Sequence, residues 1–174
     1  MAETILEADG LRVVFFHRGD RFAHRVEVRD SATDDGASGG WATALESVEG
    51  DDADAWPASP PFQQLHVEQR ATGAIVFLVG MAGKSHWSAA VEASADRRSV
   101  VFDAAVRYQQ APSRLGSEYR RPAAGAGRVV VEPCGAAAPW PVVDGRQMTS
   151  DGPFAPPPAT VAWKYRIAIA GEDS

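Results

Sequence analysis

The sequence predicts an all-β protein, an antiparallel β-sandwich with a closed or partly closed β-barrel as the alternative. Three observations carry this. Segments of period-two alternation recur along the chain, about eight to nine in all. Turn-forming residues, among 16 Gly and 12 Pro, punctuate them. Helical periodicity is confined to one short stretch. Sandwich is preferred over barrel because two long irregular stretches look like covers over open sheet faces.

Taken in order, residues 3–8 suit a short edge strand. Leu11–Arg18 and Arg21–Arg29 flank Gly19-Asp20 and read as a hairpin. Pairing Arg18 with Arg21 sets Val13, Phe15 and His17 beside Phe22, His24 and Val26, with Val14 and Phe16 on the opposite face. A strand apolar on both sides belongs inside a sheet. The same turn spells Arg-Gly-Asp, an adhesion tripeptide, but Gly-Asp has its own steric reason to occupy a tight turn.

Residues 31–61 are small, acidic and Gly-rich. Within them Trp41, Leu45 and Val48 fall at helical spacing, which predicts one short helix near 41–49, with Trp41 and Trp56 anchoring the excursion to the core. Phe62–Arg70 and Ala74–Val79 then form a second hairpin about Thr72-Gly73, with Leu65 and Val67 facing Leu78 and Val76 and the return strand apolar on both faces.

Residues 84–108 fold on themselves about Asp96-Arg97. Trp87, Ala89, Val91 and Ala93 then face Val106, Ala104, Phe102 and Val100 on one apolar side. The other side carries His86, Ser88, Ala90 and Glu92 against Arg107, Ala105, Asp103 and Val101. A slip of one residue would bury charge, so the register is specified. A loop follows, containing Leu115–Tyr119. Arg128–Glu132 is a short strand, and residues 133–159, rich in Pro and Gly, form an irregular wrap bearing Trp140 and Phe154. Thr160–Ala170 closes the chain with clean alternation: Val161, Trp163, Tyr165, Ile167 and Ile169 on one side.

The chain of 174 residues fits one β domain over 1–174, long enough to build a core without disulfide or metal. A net charge of −6, with basic residues scattered along the sequence, argues against a nucleic-acid partner. The single cysteine, Cys134, excludes an internal disulfide and a cysteine-cluster zinc site. The N-terminus shows no secretory leader, and no apolar run approaches the roughly 20 residues that span a bilayer, so a cytoplasmic location without membrane association is expected.

Chemistry has few places to sit. His86, Ser88, Asp103 and Arg107 share the polar side of the 84–108 hairpin, with small alanines between them as an open floor. That pattern suits a ligand bed. A Ser-His-Asp triad is not supported, because Asp103 lies rows away from His86 and a triad needs contact at each step. His17, His24 and His66 lack close metal-ligand spacing. The acidic run around Asp30, Asp34, Asp35, Asp51, Asp52 and Asp54 lacks the glycine and distal glutamate of an EF-hand. Gly80–Ser85 ends in Gly-Lys-Ser, but the spacing is too short for a phosphate-binding loop and a strand follows. No cofactor or metal is expected.

The sequence therefore favours non-catalytic binding of a small molecule or partner protein. The alternatives are a small-pocket enzyme (hydrolase, isomerase or lyase) using His86 with Asp103 or Arg107, and a structural or assembly subunit contacting its neighbours through 31–61 and 133–159. The oligomeric state is left open.

Overall fold

Alternation along the chain becomes two stacked, mainly antiparallel sheets. The structure, a computed structural model, describes residues 2–30, 40–123, 128–135, 141–145 and 154–171. Its strands are β1 (Thr4–Ala8), β2 (Leu11–Arg18), β3 (Arg21–Arg29), β4 (Trp41–Ser47), β5 (Gln64–Arg70), β6 (Gly73–Ala82), β7 (Ser85–Ala93), β8 (Ser99–Tyr108), β9 (Ser117–Arg120), β10 (Val129–Pro133), β11 (Pro141–Val143) and β12 (Ala159–Ile169). The first sheet runs β1-β2-β3-β4-β9-β11 and the second β10-β12-β8-β7-β6-β5. They do not close into a barrel; this is a sandwich. Among the described strands only β9 and β11 pair in parallel. No helix among the described residues is long and apolar enough to cross a membrane.

The three predicted hairpins form in the expected registers. Arg18 pairs with Arg21, Leu65 with Leu78, and Trp87 with Val106. The doubly apolar strands β2 and β6 both lie inside their sheets. The core fills the space between the sheets: Val13, Phe15, Val26 and Leu45 from the first meet Leu78, Val91, Phe102, Tyr165 and Ile167 from the second.

Three strands escaped the sequence reading. The helix expected near 41–49 is instead strand β4. Its helical spacing is a coincidence of a β-bulge: the register shifts between Val26 and Glu27, so Trp41 opposite Arg29 and Leu45 opposite Val26 fall on opposite faces. Trp41 accordingly does not anchor the core. It lies on the outer face, with the Arg12 and Arg29 guanidiniums 4.3 and 4.9 Å from its ring centroid. The expected loop at Leu115–Tyr119 contains β9, and the irregular 133–159 segment contains β11. Trp140, Asp34 and Asp35 lie outside the described residues.

From Val48 to Gln63 the chain crosses one end of the sandwich and ties the sheets together. The Phe22 amide donates to the Phe62 carbonyl (2.7 Å) and the Gln63 amide to the Val79 carbonyl (2.9 Å). The Ser59 hydroxyl bonds the backbone of Glu118 on both its N–H (3.0 Å) and C=O (3.1 Å) sides. Trp56 does anchor this strap, meeting Trp87 edge-on with ring centroids 5.9 Å apart.

The strap passes so close to β6 that only glycine fits there. A Cβ on Gly80 would stand 1.8 Å from the Pro61 carbonyl oxygen and 2.9 Å from the Phe62 Cα. Gly80→Ala is therefore expected to cost about 3 kcal/mol or more in urea unfolding, at or above the upper end of ordinary overpacking, because backbone must move. Unchanged stability would mean that the strap is not seated on β6.

Candidate functional site

Side chains on the outward side of the second sheet are arranged in cross-strand rows. One row reads Met81, His86, Arg107 and Thr160 across β6, β7, β8 and β12; the next reads Gln64, Val79, Ser88, Ala105 and Ala162 across β5 to β12. Both follow from period-two alternation, which turns Trp87, Ala89 and Val106 inward and leaves these residues facing out.

The two rows enclose a groove of about 430 Å³. Its floor is apolar and open: Val79 is 45% exposed and Met81 47%, with Ala105 between the polar positions. Gln63 supports one wall. Its side-chain amide donates to the Met81 carbonyl (2.8 Å) while its Oε1 accepts from the Met81 N–H (2.7 Å). That side chain extends the β5–β6 ladder by one row before β5 begins, so the groove wall is held by the same strap that closes the sandwich.

Three of the four residues singled out from the sequence meet in this groove: His86, Ser88 and Arg107. Asp103 does not. It sits further along β8, and its carboxylate lies 3.5 Å from the Lys164 ammonium on β12, its direct cross-strand partner. Among the described residues the His86 row holds Met81, Arg107 and Thr160 and no carboxylate. The sequence reading missed Val79, Met81, Gln63, Gln64 and Thr160. A signal is present in Ala74–Val79, apolar on both faces, which as an interior strand reads as covered; Val79 and Met81 are instead exposed.

The other histidines are placed differently. His24 is buried between the sheets; its Nε2 lies 2.8 Å from the Tyr119 hydroxyl, which is 2.7 Å from the Tyr165 hydroxyl. Burial pushes the His24 pKa down to about 3 and raises both tyrosines, so all three are neutral structural groups. His17 packs on Phe22 with ring centroids 3.9 Å apart, and His66 is exposed on β5. Among the described residues no three His, Cys, Asp or Glu side chains are grouped to hold a metal ion.

Glu49, at the start of the strap near this network, is half-buried, with its Oε2 out of water. Loss of water pushes its pKa up to about 7, against the opposing effects of a hydrogen bond from Ser47 and the Arg21 and Arg18 charges. Its Oε2 and the Arg21 Nη1 are buried without a hydrogen-bond partner among the described residues. The remaining valences of Arg21 go to Asp20, bonded through Nε (2.8 Å) and Nη2 (3.1 Å). The aspartate of the Arg-Gly-Asp turn is thus committed to its own hairpin.

The outward side of the first sheet offers a useful contrast. There the fold gathers arginines that are scattered in sequence: Arg12, Arg18, Arg25 and Arg29. Carboxylates answer two of them, Arg12 and Arg25. Glu27 accepts from Arg12 Nε (2.5 Å) and Arg25 Nε (2.6 Å), and Glu3 from Arg25 Nη2 (3.0 Å). Burial opposes ionisation of Glu27, but the two arginines outweigh it and hold the carboxyl below its ordinary range. Arg18 and Arg29 lie instead over the Phe16 and Trp41 rings, so that face is neutralised in part. The groove is not.

Comparison with family models, with curated proteins and with solved structures found no match. The groove therefore has to be read from its own chemistry.

Proposed function

We propose that the protein is a non-catalytic binding module that takes a small molecule in the groove over β6, β7 and β8. The observation that carries this reading is the combination of exposed Val79 and Met81 with the convergent polar groups of His86, Ser88 and Arg107. An apolar floor with a few placed polar groups is the usual make-up of a ligand site, and about 430 Å³ lies within the roughly 300–1,000 Å³ of such pockets. The pairing of Asp103 with Lys164 favours binding over catalysis, since it removes the carboxylate a catalytic His86 would use. The exposed, free thiol of Cys134 suits a reducing, cytoplasmic setting.

Screening the isotope-labelled protein against small-molecule fragments by NMR tests the reading. Hits are expected to shift the amides of Met81, His86, Ser88 and Ala105. Ala105→Trp, which fills the groove from a half-buried surface position, should abolish those shifts while the spectrum stays folded. Hits that map elsewhere, or that survive Ala105→Trp, would contradict the proposal.

A further inference from the structure

We infer that the occupant of this groove is a small organic anion, an apolar body carrying one carboxylate; the inference rests on the binding reading above. The charge distribution points to it. Over the whole chain acidic residues outnumber basic ones, 23 to 17. Among the described residues lining the groove, however, none is Asp or Glu, and a fixed cation, Arg107, is present.

Arg107 also differs from most arginines of the fold. Arg12 and Arg25 are answered by Glu27, Arg120 by Glu46 (2.5 Å) and Arg166 by Glu132 (2.6 Å). Among the described residues Arg107 has no such carboxylate: its row neighbours are His86 and Thr160. A planar guanidinium presents two parallel N–H groups that match one carboxylate bidentately, and His86 and Thr160 flank it with further hydrogen-bonding atoms. One fixed charge matches a monoanion.

The body of the ligand has its own place. Val79 and Met81 lie on β6, two strands away from Arg107 on β8, so the cationic and apolar parts of the groove sit side by side across the sheet. A molecule with its head at Arg107 lays an apolar chain or ring across β7 onto β6. Covering exposed Val79 and Met81 removes apolar surface from water, and the head-group contact fixes orientation.

Titrating the full chain with 4-phenylbutyrate and with its neutral amide, followed by NMR shifts of the groove amides, tests the inference. The carboxylate is expected to bind about tenfold more tightly than the amide. Arg107→Gln should reduce the carboxylate to the level of the amide, and Arg107→Lys should recover part of the difference. Arg107 is exposed, so both variants should melt with wild-type protein. Equal binding of acid and amide, or carboxylate binding unaffected by Arg107→Gln, would overturn the anion assignment while leaving the groove a binding site. Groove hits from the fragment screen with no groove shift from 4-phenylbutyrate would also overturn it. Failure of the fragment screen itself would remove the binding reading beneath it.

Discussion

Trp87→Ala is expected to destabilise the protein by roughly 3–5 kcal/mol, the range for losing a large aromatic from a packed core. Trp87 is 4% exposed. On its own sheet it stands between Gly80 on β6 and Val106 on β8, and from the end of the sandwich Trp56 meets it edge-on. Glycine on one side and a strap across the end leave little that can collapse into the space. The cavity cost therefore adds to the lost transfer energy instead of being relaxed away. Trp87 also lies directly beneath the groove, so the variant should lose groove-ligand shifts under conditions where it is still folded. Urea unfolding provides the number; a cost below about 0.5 kcal/mol would place the ring at the surface and contradict the register of β7.

The second large effect is a pH dependence in which buried His24 and half-buried Glu49 oppose each other. His24 is neutral in the folded chain, its pKa lowered by burial from 6.5 to about 3. The unfolded chain takes up a proton below 6.5, so the stability due to His24 is fully present above 6.5 and is lost as pH falls toward 3. At about 1.4 kcal/mol per pKa unit this is on the order of 4–5 kcal/mol. Glu49 has the opposite sign. Its pKa is raised by burial from 4.5 to about 7, so stability is fully present below 4.5 and is lost as pH rises through 7, on the order of 3 kcal/mol. Between about 4.5 and 6.5 the two slopes cancel. Unfolding free energy should thus rise from pH 3 to 4.5 and then run nearly level.

Glu49→Gln separates the two. The variant keeps the His24 slope and should continue to gain stability up to pH 6.5. Its advantage over wild type should widen by about 3 kcal/mol between pH 4.5 and pH 8. A difference that does not change with pH would mean that the Glu49 carboxylate is hydrated.

The registers of the hairpins were legible because alternation and turn chemistry agreed. Gly19-Asp20 and Asp96-Arg97 each fixed which residues face across, and the long apolar face of Trp87, Val91, Phe102 and Val106 admitted one alignment. Where local pattern and tertiary pairing disagreed, the sequence misled. The bulge in β4 put Trp41 and Leu45 on opposite faces although their spacing suggested a shared helical one. Ser117–Arg120 carries too few residues to display a period, and its partners β4 and β11 are distant in the chain. For that reason the buried chain of His24, Tyr119 and Tyr165 could not be anticipated: Tyr119 read as part of a loop.

The site shows the same division. His86 opposite Arg107 follows from one hairpin and was legible. Asp103 was assigned to the same polar cluster because its partner across the next strand was unknown; pairing of β8 with β12 brings Lys164 to it instead. Val79 is hidden in the sequence because an apolar outward position on an interior strand reads as buried, and Met81 because the predicted strand stops at Val79 whereas β6 runs on to Ala82. Their exposure is set by tertiary packing, which a local pattern does not encode.

A crystal structure of the protein with bound 4-phenylbutyrate tests the central claim most directly. The account predicts the phenyl ring over Val79 and Met81 and the carboxylate within hydrogen-bonding distance of the Arg107 guanidinium. Ligand bound instead against the arginines of the first sheet, or a groove filled with its carboxylate pointing away from Arg107, would contradict it.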